Sequence, residues 1–249
     1  MRYSQAEIEI MAEGGRLLAR VIAELKGAVR PGVVTRSLDD LCREKIRSLG
    51  AEPAFLNYRP PGGRKPYPFS LCVSLNDVVV HGRPSARVVK DGDLVKLDAG
   101  LKYKGFYVDS AVTVGAGETS REARKLMETT SLALKKGVAE AKIGKAVGDI
   151  GYAVERCARK AKFSVVRVLV GHGVGRKLHE EPTVPNFGSR GEGVKLEVGM
   201  VLAIEPMIAA GSGEVKELAD ESFATSDGSL SAHFEHTVAI TERGPLVLT

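Results

Sequence analysis

Two neighbouring runs of sequence decide how this chain folds: VKLDAG at residues 95–100 and FYVDSAV at residues 106–112. Both runs are rich in β-branched and aromatic residues, and a short turn containing Gly105 separates them. This pattern is typical of a β-hairpin. Each arm carries one aspartate, Asp98 in the first and Asp109 in the second, although aspartate is depleted in strands. The hairpin therefore holds two carboxylates in an otherwise apolar setting.

The pairing of the two arms decides whether these carboxylates face each other. A turn centred near Tyr103 and Lys104 would place Asp98 opposite Asp109, and a β-bulge at Gly105 would shift that register by one residue. A single aspartate in such a run is most simply explained as a strand end or a solvated side chain. Two aspartates on opposed positions repel each other, so something cationic should lie between them. The simplest candidate is a divalent metal ion.

Length and composition limit the classes of protein to consider. The chain has 249 residues, of which 43% are hydrophobic, and this is enough for a sizeable core. A net charge of +5 favours an acidic partner surface, whereas the absence of tryptophan and a 5% aromatic content disfavour a platform for stacked nucleobases. Cys42, Cys72 and Cys157 are odd in number and far apart, as expected for reduced thiols. We find no signal sequence and no membrane-spanning run, and we therefore expect a cytoplasmic protein.

The first half of the chain predicts two helices followed by strands. Ser4 and Glu7 have the spacing of a capping box and begin a helix that ends near Gly27. A second helix begins at Thr35 or Ser37. The elements predicted after it are a loop over 53–68 and a strand over 70–80 that is interrupted at Asn76 and Asp77; the hairpin follows.

The second half repeats this order of elements without repeating the sequence. Thr119 and Glu122 have the spacing of another capping box, and a helix follows them. The elements predicted next are a helix over 147–161 and strands over 163–170, 201–205 and 236–240. We therefore predict one α+β domain over residues 1–249, with two similar halves of about 1–118 and 119–249.

Further ionisable residues stand next to strands in apolar or glycine-rich sequence. Glu205 follows the run VLAI, Glu235 begins a strand, and His172 lies between two glycines. Together with Asp98 and Asp109 they supply four carboxylates and one imidazole. Buried carboxylates must be paired, protonated or bound to metal. This set of donors suits two divalent ions that share carboxylate ligands, and such ions make hydroxide available near neutral pH.

A resemblance to a known family extends this interpretation. Five groups of residues occur in the order found in methionine aminopeptidases: NDVVVHGRP at 76–84, LD at 97–98 with VDS at 108–110, GHGVG at 171–175 with HEEP at 179–182, IEPM at 204–207, and FEHT at 234–237. The chain resembles the short bacterial, type I members of that family over nearly its whole length. The resemblance implies the pita-bread fold of the M24 metallopeptidases. This is an α+β fold with a pseudo-twofold layout and a central antiparallel sheet that carries helices on its outer face.

The resemblance also implies a dinuclear metal centre with five protein ligands. These ligands are Asp98, Asp109, His172, Glu205 and Glu235, with Asp109 and Glu235 bridging the two ions. Mn²⁺, Fe²⁺, Co²⁺ and Zn²⁺ all suit such donors. The implied reaction removes the initiator methionine from nascent polypeptides, and a hydroxide that bridges the metals attacks the first peptide carbonyl. Glu205 would act as the general base.

The same resemblance implies roles for four further residues. His81 would contact the scissile peptide or its leaving amine, and His179 would bind the substrate carbonyl. Cys72 and Tyr67 would line the pocket for the methionine side chain. The chain departs from its bacterial relatives in this pocket, because Leu178 stands where they often carry an aromatic residue.

The resemblance implies further ions and partners beyond the metal centre. A monovalent cation is expected near Asn76, Val78 and Ser231. The substrates would be nascent polypeptides with an N-terminal methionine, and the positive charge would favour docking on ribosomal RNA. We expect a monomer with no membrane partner.

Two other functions are compatible with the same motifs. Prolidases and aminopeptidase P share the five ligand types, but they usually carry an extra N-terminal domain, whereas here the first helix begins near residue 4. Some proteins with this fold have lost their metals and bind nucleic acids or other proteins. They have typically lost several ligands, and this chain keeps all five types.

Overall fold

The computed structural model describes residues 1–59 and 65–249. Its helices are α1 (Gln5–Ala28), α2 (Thr35–Ser48), α3 (Arg121–Glu140) and α4 (Val147–Lys160). Its strands are β1 (Glu52–Pro53), β2 (Cys72–Leu75), β3 (Val78–Val80), β4 (Leu94–Tyr103), β5 (Phe106–Gly115), β6 (Ser164–Val165), β7 (Gly171–Gly173), β8 (Glu180–Val184), β9 (Val201–Ile204), β10 (Met207–Ala209), β11 (Val215–Glu217), β12 (Phe223–Thr225), β13 (Ser231–His233), β14 (His236–Thr241) and β15 (Gly244–Val247). Part of the loop predicted over 53–68, residues 60–64, lies outside the described residues.

Four sheets organise these strands within the described part of the chain. In the first sheet, β4 pairs with β5 along one edge and with β1 and β2 along the other. The largest sheet has the order β15-β14-β9-β7-β8, and two three-stranded sheets have the orders β13-β10-β6 and β11-β12-β3. Neighbouring strands are antiparallel. The α+β class predicted from the sequence is confirmed.

Local capping chemistry explains where two of the helices begin. The predicted capping box at α1 is confirmed, because Ser4 and Glu7 exchange side-chain and backbone hydrogen bonds. At α3 the capping residue is Ser120, whose hydroxyl accepts a hydrogen bond from the N–H of Ala123 at 3.1 Å. The prediction that Thr119 caps this helix is therefore wrong by one residue.

Two further predictions about elements are corrected. α2 has no side-chain cap, because the hydroxyl of Thr35 is engaged with the backbone of Ser85 instead. The strand predicted over 163–170 is only Ser164–Val165. The chain then leaves the sheet, and Val168 is 70% exposed.

The hairpin of β4 and β5 turns at Lys104 and Gly105. Both residues have positive φ angles, 47° and 88°, as tight two-residue hairpin turns require to match the twist of the strands. Tyr103 therefore pairs with Phe106. The turn lies one residue later in the chain than predicted.

This turn sets the register of the two aspartates. Asp98 lies opposite Ala111, and Asp109 lies opposite Gly100, so the predicted direct pairing of Asp98 with Asp109 is wrong by two positions. A shift of two residues keeps a side chain on the same face of the sheet. The two carboxylates are therefore diagonal neighbours on one face, which is still within interaction range.

The two faces of β4 serve different purposes. Alternate apolar residues are buried in the main core with residues of α1: Val95, Leu97, Ala99 and Leu101. The intervening positions, among them Lys96 and Asp98, turn to the opposite face. Lys96 there reaches Ser231 on β13, so the polar face of the hairpin meets strands from the second half of the chain.

The other helices also cover sheets with an apolar face. α3 and α4 pack against each other and bury side chains that include Leu126, Ala133 and Val154 against β6, β10 and β13. Helices whose apolar residues lie on one face are typical of globular proteins. None of the helices in the described ranges is long and apolar enough to cross a membrane.

Candidate active site

One large pocket opens where the polar face of the hairpin meets the second half of the chain. It has a volume of about 1220 Å³. It is lined by the candidate catalytic, metal-ligand and substrate-pocket residues named from the sequence: Tyr67, Cys72, His81, Asp98, Asp109, His172, His179, Glu205 and Glu235. The structure therefore gathers into one place residues that are up to 168 positions apart in the sequence (67 to 235).

Backbone hydrogen bonds between the two halves hold Asp109 and Glu235 in this pocket. The N–H of Asp109 donates to the hydroxyl of Thr237 at 2.9 Å. The N–H of Glu235 donates to the carbonyl of Ala111 at 2.9 Å, and the hydroxyl of Ser110 donates to the carbonyl of Glu235 at 3.0 Å. Both carboxylate residues are buried, with exposures of 4% and 2%. Their positions are thus fixed by the junction of β5 with the start of β14.

His172 completes a cluster with these two carboxylates. One donor atom from each of Asp109, His172 and Glu235 lies within 4.8 Å of the others. Nδ1 of His172 lies 2.9 Å from the carbonyl oxygen of Gly173. A carbonyl oxygen only accepts, so Nδ1 carries the proton and Nε2 presents its lone pair to the cluster. This is the tautomer that a metal-ligating histidine needs.

Asp98 and Glu205 line the same pocket as this cluster. Asp98 comes from β4, and Glu205 follows the last residue of β9. Oε1 of Glu205 lies 3.5 Å from Nε2 of His172. The side-chain amide of Asn186 donates to the backbone carbonyl of Glu205 at 3.1 Å and fixes the chain there.

The four carboxylates strongly resist ionising together. Burial raises the pKa of Asp98 and of Glu205 to about 7. Burial, followed by repulsion from the neighbouring carboxylates, raises the pKa values of Asp109 and Glu235 well above the usual range. Carboxylates with such pKa values are stabilised in the ionised form by nearby positive charge. Divalent cations would supply that charge.

The donor chemistry fits a divalent metal centre. Four carboxylates and an imidazole offer oxygen and nitrogen ligands of the kind that Mn²⁺, Fe²⁺, Co²⁺ and Zn²⁺ accept. Donor atoms of His172 and of the buried carboxylates of Asp109 and Glu235 converge within 4.8 Å. The residues present therefore fit the metal ions that the sequence predicts.

Two further histidines face the same space. The ring centroids of His179 and His172 lie 4.3 Å apart. Nδ1 of His179 lies 2.6 Å from the hydroxyl oxygen of Tyr58. Desolvation and the neighbouring imidazoles of His172 and His81 lower the pKa of His179. His81 has a positive φ of 60°, and its ring packs edge-on against Phe223 with 5.9 Å between the centroids. A non-glycine residue held at positive φ is a feature that clusters at functional sites.

An apolar compartment adjoins the carboxylates. Cys72, Leu178 and Phe55 are buried in one small cluster, and Tyr67 packs against it. The hydroxyl oxygen of Tyr67 lies 3.0 and 3.1 Å from two backbone carbonyl oxygens, which share its single proton, and this anchors the ring. Leu178 takes part in this compartment with 2% exposure.

The expectation of a monovalent cation near Asn76, Val78 and Ser231 is corrected, because the ammonium group of Lys96 lies there. Nζ of Lys96 lies 2.6 Å from the carbonyl of Asn76, 3.0 Å from the carbonyl of Ser231 and 3.1 Å from its hydroxyl. That hydroxyl also lies 3.4 Å from the carbonyl of Val78. Lys96 is 1% exposed, and an ammonium group with three donors satisfies these three oxygens. A tethered cation therefore stands where a free one was expected.

His233 is a residue of this region that the sequence reasoning missed. It is 1% exposed, and its Nε2 lies 3.6 Å from Oε2 of Glu205. The signal that could have found it is strand alternation, because Ser231, His233 and Glu235 are two residues apart and so point to one face. Lys96 could have been found in the same way, two residues before Asp98.

Comparisons with family models and with known proteins point to the same family. The family model described as Metallopeptidase family M24 matches residues 9–242. The methionine aminopeptidase of Aquifex aeolicus (strain VF5) is 47% identical, over 99% of this chain and 97% of that protein.

Solved structures resemble the chain over its full length. The crystal structure of methionine aminopeptidase from Rickettsia prowazekii matches with a TM-score of 0.95 and 37% identity, covering 100% of this chain and 99% of that chain. The prolidase from Pyrococcus furiosus matches with a TM-score of 0.79 and 22% identity, covering 100% of this chain and 65% of that chain. The prolidase comparison concerns the fold alone. The predicted pita-bread fold is confirmed.

Proposed function

This chain belongs to metallopeptidase family M24, and we propose that it is a methionine aminopeptidase, a hydrolase that removes the initiator methionine from nascent polypeptides. The observation that carries the proposal is the convergence of Asp109, His172 and Glu235 within 4.8 Å in a pocket that Asp98 and Glu205 also line. These five residues would hold two divalent metal ions. Bound there, the ions would lower the pKa of water and so supply hydroxide near neutral pH.

Glu205 is the residue best suited to move protons in this reaction. Its carboxylate lines the pocket and has an imidazole near each oxygen, with His172 at Oε1 and His233 at Oε2, and a carboxylate within reach of a reacting water can serve as a general base. Glu205 would accept a proton from the attacking water and pass it to the leaving amine. Its side chain is 13% exposed, so it reaches the pocket while most of it stays dry.

His179 and His81 would position the scissile peptide. If the hydroxyl of Tyr58 donates to Nδ1 of His179, the imidazole carries its proton on Nε2. That N–H would donate to the carbonyl oxygen as negative charge develops on it. His81 would contact the peptide nitrogen or the leaving amine from the side of the pocket that Phe223 shares.

The apolar compartment would hold the methionine side chain. Cys72, Leu178 and Phe55 form its buried wall, and Tyr67 closes it. A flexible thioether fits irregular apolar space. Leu178 gives this wall an aliphatic surface at the position next to His179.

The proposal also covers the location of the enzyme, its oligomeric state, its domain organisation and its docking on the ribosome. The enzyme would act in the cytoplasm as a monomer, with residues 1–249 forming one catalytic domain of two halves. Its net charge of +5 would help it dock on the ribosome near the emerging chain. Cosedimentation with ribosomes that weakens as salt rises would support this docking.

Peptide hydrolysis tests the central activity. The purified chain is stripped with a chelator, reloaded with Mn²⁺, Co²⁺ or Fe²⁺, and assayed on Met-Ala-Ser and on Ala-Pro. We expect methionine to be released from Met-Ala-Ser, and Ala-Pro to remain intact. Folded, reloaded protein that leaves Met-Ala-Ser uncut would overturn the proposal, and cleavage of Ala-Pro alone would assign a prolidase activity.

A pair of aspartate variants controls this assay. Asp109→Ala removes a carboxylate from the cluster and should abolish hydrolysis, with the far-ultraviolet circular dichroism unchanged. Asp40→Ala removes an exposed aspartate of α2 and should keep full activity. Undiminished activity in Asp109→Ala would contradict its role as a ligand.

A further inference from the structure

We propose that His233 is a positioning residue of the active site, which donates a hydrogen bond from Nε2 to Oε2 of Glu205 and so fixes the orientation of that carboxylate. The inference rests on the proposed function, because Glu205 matters here as a metal ligand and general base. It adds a residue with no role in the sequence prediction.

His233 is buried beside Glu205 and behind the lining of the pocket. The residue is 1% exposed and does not line the pocket. Thr113 fixes its backbone from both sides: the hydroxyl accepts from the N–H of His233 at 2.9 Å and donates to its carbonyl at 2.7 Å. β13 also pairs with β10, where His233 lies opposite Met207, two residues after Glu205. The backbone therefore carries the imidazole to the buried side of Glu205.

The ring of His233 has unused hydrogen-bonding capacity. Within the described residues, neither of its nitrogens has a hydrogen-bond partner, although both are buried. An unpaired buried polar group is costly, and most buried polar side chains in folded proteins have a partner. The carboxylate oxygen 3.6 Å from Nε2 needs to approach by about 0.6 Å to reach an ordinary hydrogen-bond distance. A rotation of the His233 or the Glu205 side chain would supply that movement.

The direction of the hydrogen bond follows from the chemistry of the partners. An ionised carboxylate only accepts, so the proton must be on Nε2 of His233. The neutral imidazole has one N–H, which can stand on Nε2 and donate to Oε2 of Glu205. Asp98, Glu205 and Lys96 are the charged groups near it.

The geometry favours positioning over direct metal binding. Two imidazoles flank Glu205 on different oxygens, with His172 at Oε1 and His233 at Oε2, at 3.5 and 3.6 Å. His172 belongs to the cluster with Asp109 and Glu235, and His233 does not. One imidazole therefore faces the metals, while the other stands behind the carboxylate. Hydrogen-bond partners of metal ligands typically change metal affinity or activity by about 10- to 100-fold when removed.

Two variants at this position test the proposal. His233→Leu keeps the bulk of the side chain and removes the donor. His233→Gln keeps an amide N–H that can reach the same oxygen. The dissociation constant for Mn²⁺ is measured by titration calorimetry on chelator-stripped protein, the visible spectrum is recorded for the Co²⁺ form, and kcat and KM are measured on Met-Ala-Ser.

We expect His233→Leu to weaken Mn²⁺ binding by about 10- to 100-fold, to alter the Co²⁺ spectrum and to lower kcat more than it changes KM. His233→Gln should stay within about threefold of the original chain, since an amide donor replaces the imidazole donor. His236→Leu is the control, because His236 is next to Glu235 but its ring lies 3.2 Å from the hydroxyl of Thr249 instead. This control should leave the Co²⁺ spectrum unchanged.

Three results would overturn the inference. Unchanged Mn²⁺ affinity and kcat in His233→Leu would show that Glu205 needs no such partner. Equal losses in the Leu and Gln variants, with a lower unfolding midpoint of the metal-free protein in both, would show that His233 only packs the core. If the original chain bound neither Mn²⁺ nor Co²⁺, the proposed function would fall and the role of His233 with it.

Discussion

At the scale of single residues, the buried carboxylates dominate the behaviour of the site. Their pKa values are raised above those of an unfolded chain, to about 7 for Asp98 and Glu205 and well above the usual range for Asp109 and Glu235. In the metal-free protein the folded state therefore binds more protons than the unfolded state above about pH 4. This extra proton binding stabilises the folded state fully below about pH 4, and the stabilisation is lost as the pH rises through 7. Metal binding needs the same groups ionised, so it has the opposite dependence on pH.

The first prediction follows from this pH dependence, in which the metal-free folded state loses stability as the pH rises. The unfolding midpoint of metal-free protein should fall between pH 6.5 and 8, and the midpoint of the Mn²⁺ form should fall less or rise. Lys96, whose pKa burial lowers to about 7, works in the opposite direction but is outnumbered by four carboxylates. Calorimetry of both forms across this window checks the prediction. A metal-free protein that is more stable at pH 8 than at pH 6.5 would contradict it.

The second residue-scale prediction concerns the tethered ammonium of Lys96. Lys96→Ala leaves the oxygens of Asn76 and Ser231 without their donor, and an unsatisfied buried polar group costs about 1–3 kcal/mol. We expect a loss of at least this size in the free energy of unfolding, with partial recovery in potassium chloride relative to tetramethylammonium chloride. The original chain should respond equally to the two salts. Denaturant titrations measure this, and an equal response of Lys96→Ala to both salts would argue against a cation-shaped cavity.

At the scale of elements, the hairpin turn determines which face each aspartate occupies. Gly105 has a φ of 88° and open space around its Cβ position. Gly105→Ala should therefore cost about 1 kcal/mol through backbone conformation alone. Gly27, near the end of α1, also has open space but no positive φ. Gly27→Ala should instead stabilise the protein by about 0.5–1 kcal/mol.

Urea unfolding of the two glycine variants checks this contrast. The pair is matched for the substitution and for free space, and it differs in backbone conformation, helical at Gly27 and left-handed at Gly105. A stabilising Gly105→Ala would mean that the turn does not hold Lys104 and Gly105 in the left-handed region. The register of Asp98 and Asp109 would then need another explanation.

At the scale of the whole molecule, the five candidate ligands come from both halves of the chain. Asp98 and Asp109 belong to the hairpin of the first half, and His172, Glu205 and Glu235 come from strands and strand ends of the second. Metal ions held by this set would cross-link the halves. Free Mn²⁺ at 100 times the dissociation constant of a site should stabilise the folded chain by about 2.7 kcal/mol for each such site that it fills.

Thermal unfolding with and without Mn²⁺ tests this coupling. One cooperative transition should move to higher temperature with Mn²⁺ in the original chain, and the shift should disappear in Asp109→Ala. Two separate transitions, of which Mn²⁺ moves only one, would mean that the halves do not share the site.

Some of this account could be predicted from the sequence, and the physical reasons for the rest are specific. The hairpin, the capping box of Ser4 and the clustering of carboxylates follow from local patterns and from motif order. The register was wrong by two because nothing in the sequence marks Lys104 as a residue that adopts a positive φ. Lys96 and His233 were missed because their importance lies in what surrounds them in the fold. Lysine is most often an exposed residue, and only the packing of β4 against β13 buries it here.

The most direct test of the central claim is the anomalous scattering from crystals of this protein grown with Mn²⁺. The account predicts two anomalous peaks inside the pocket, each in direct coordination with oxygen or nitrogen atoms of the five ligands Asp98, Asp109, His172, Glu205 and Glu235. A map with no peak among these carboxylates, from crystals of protein that cleaves Met-Ala-Ser, would contradict it.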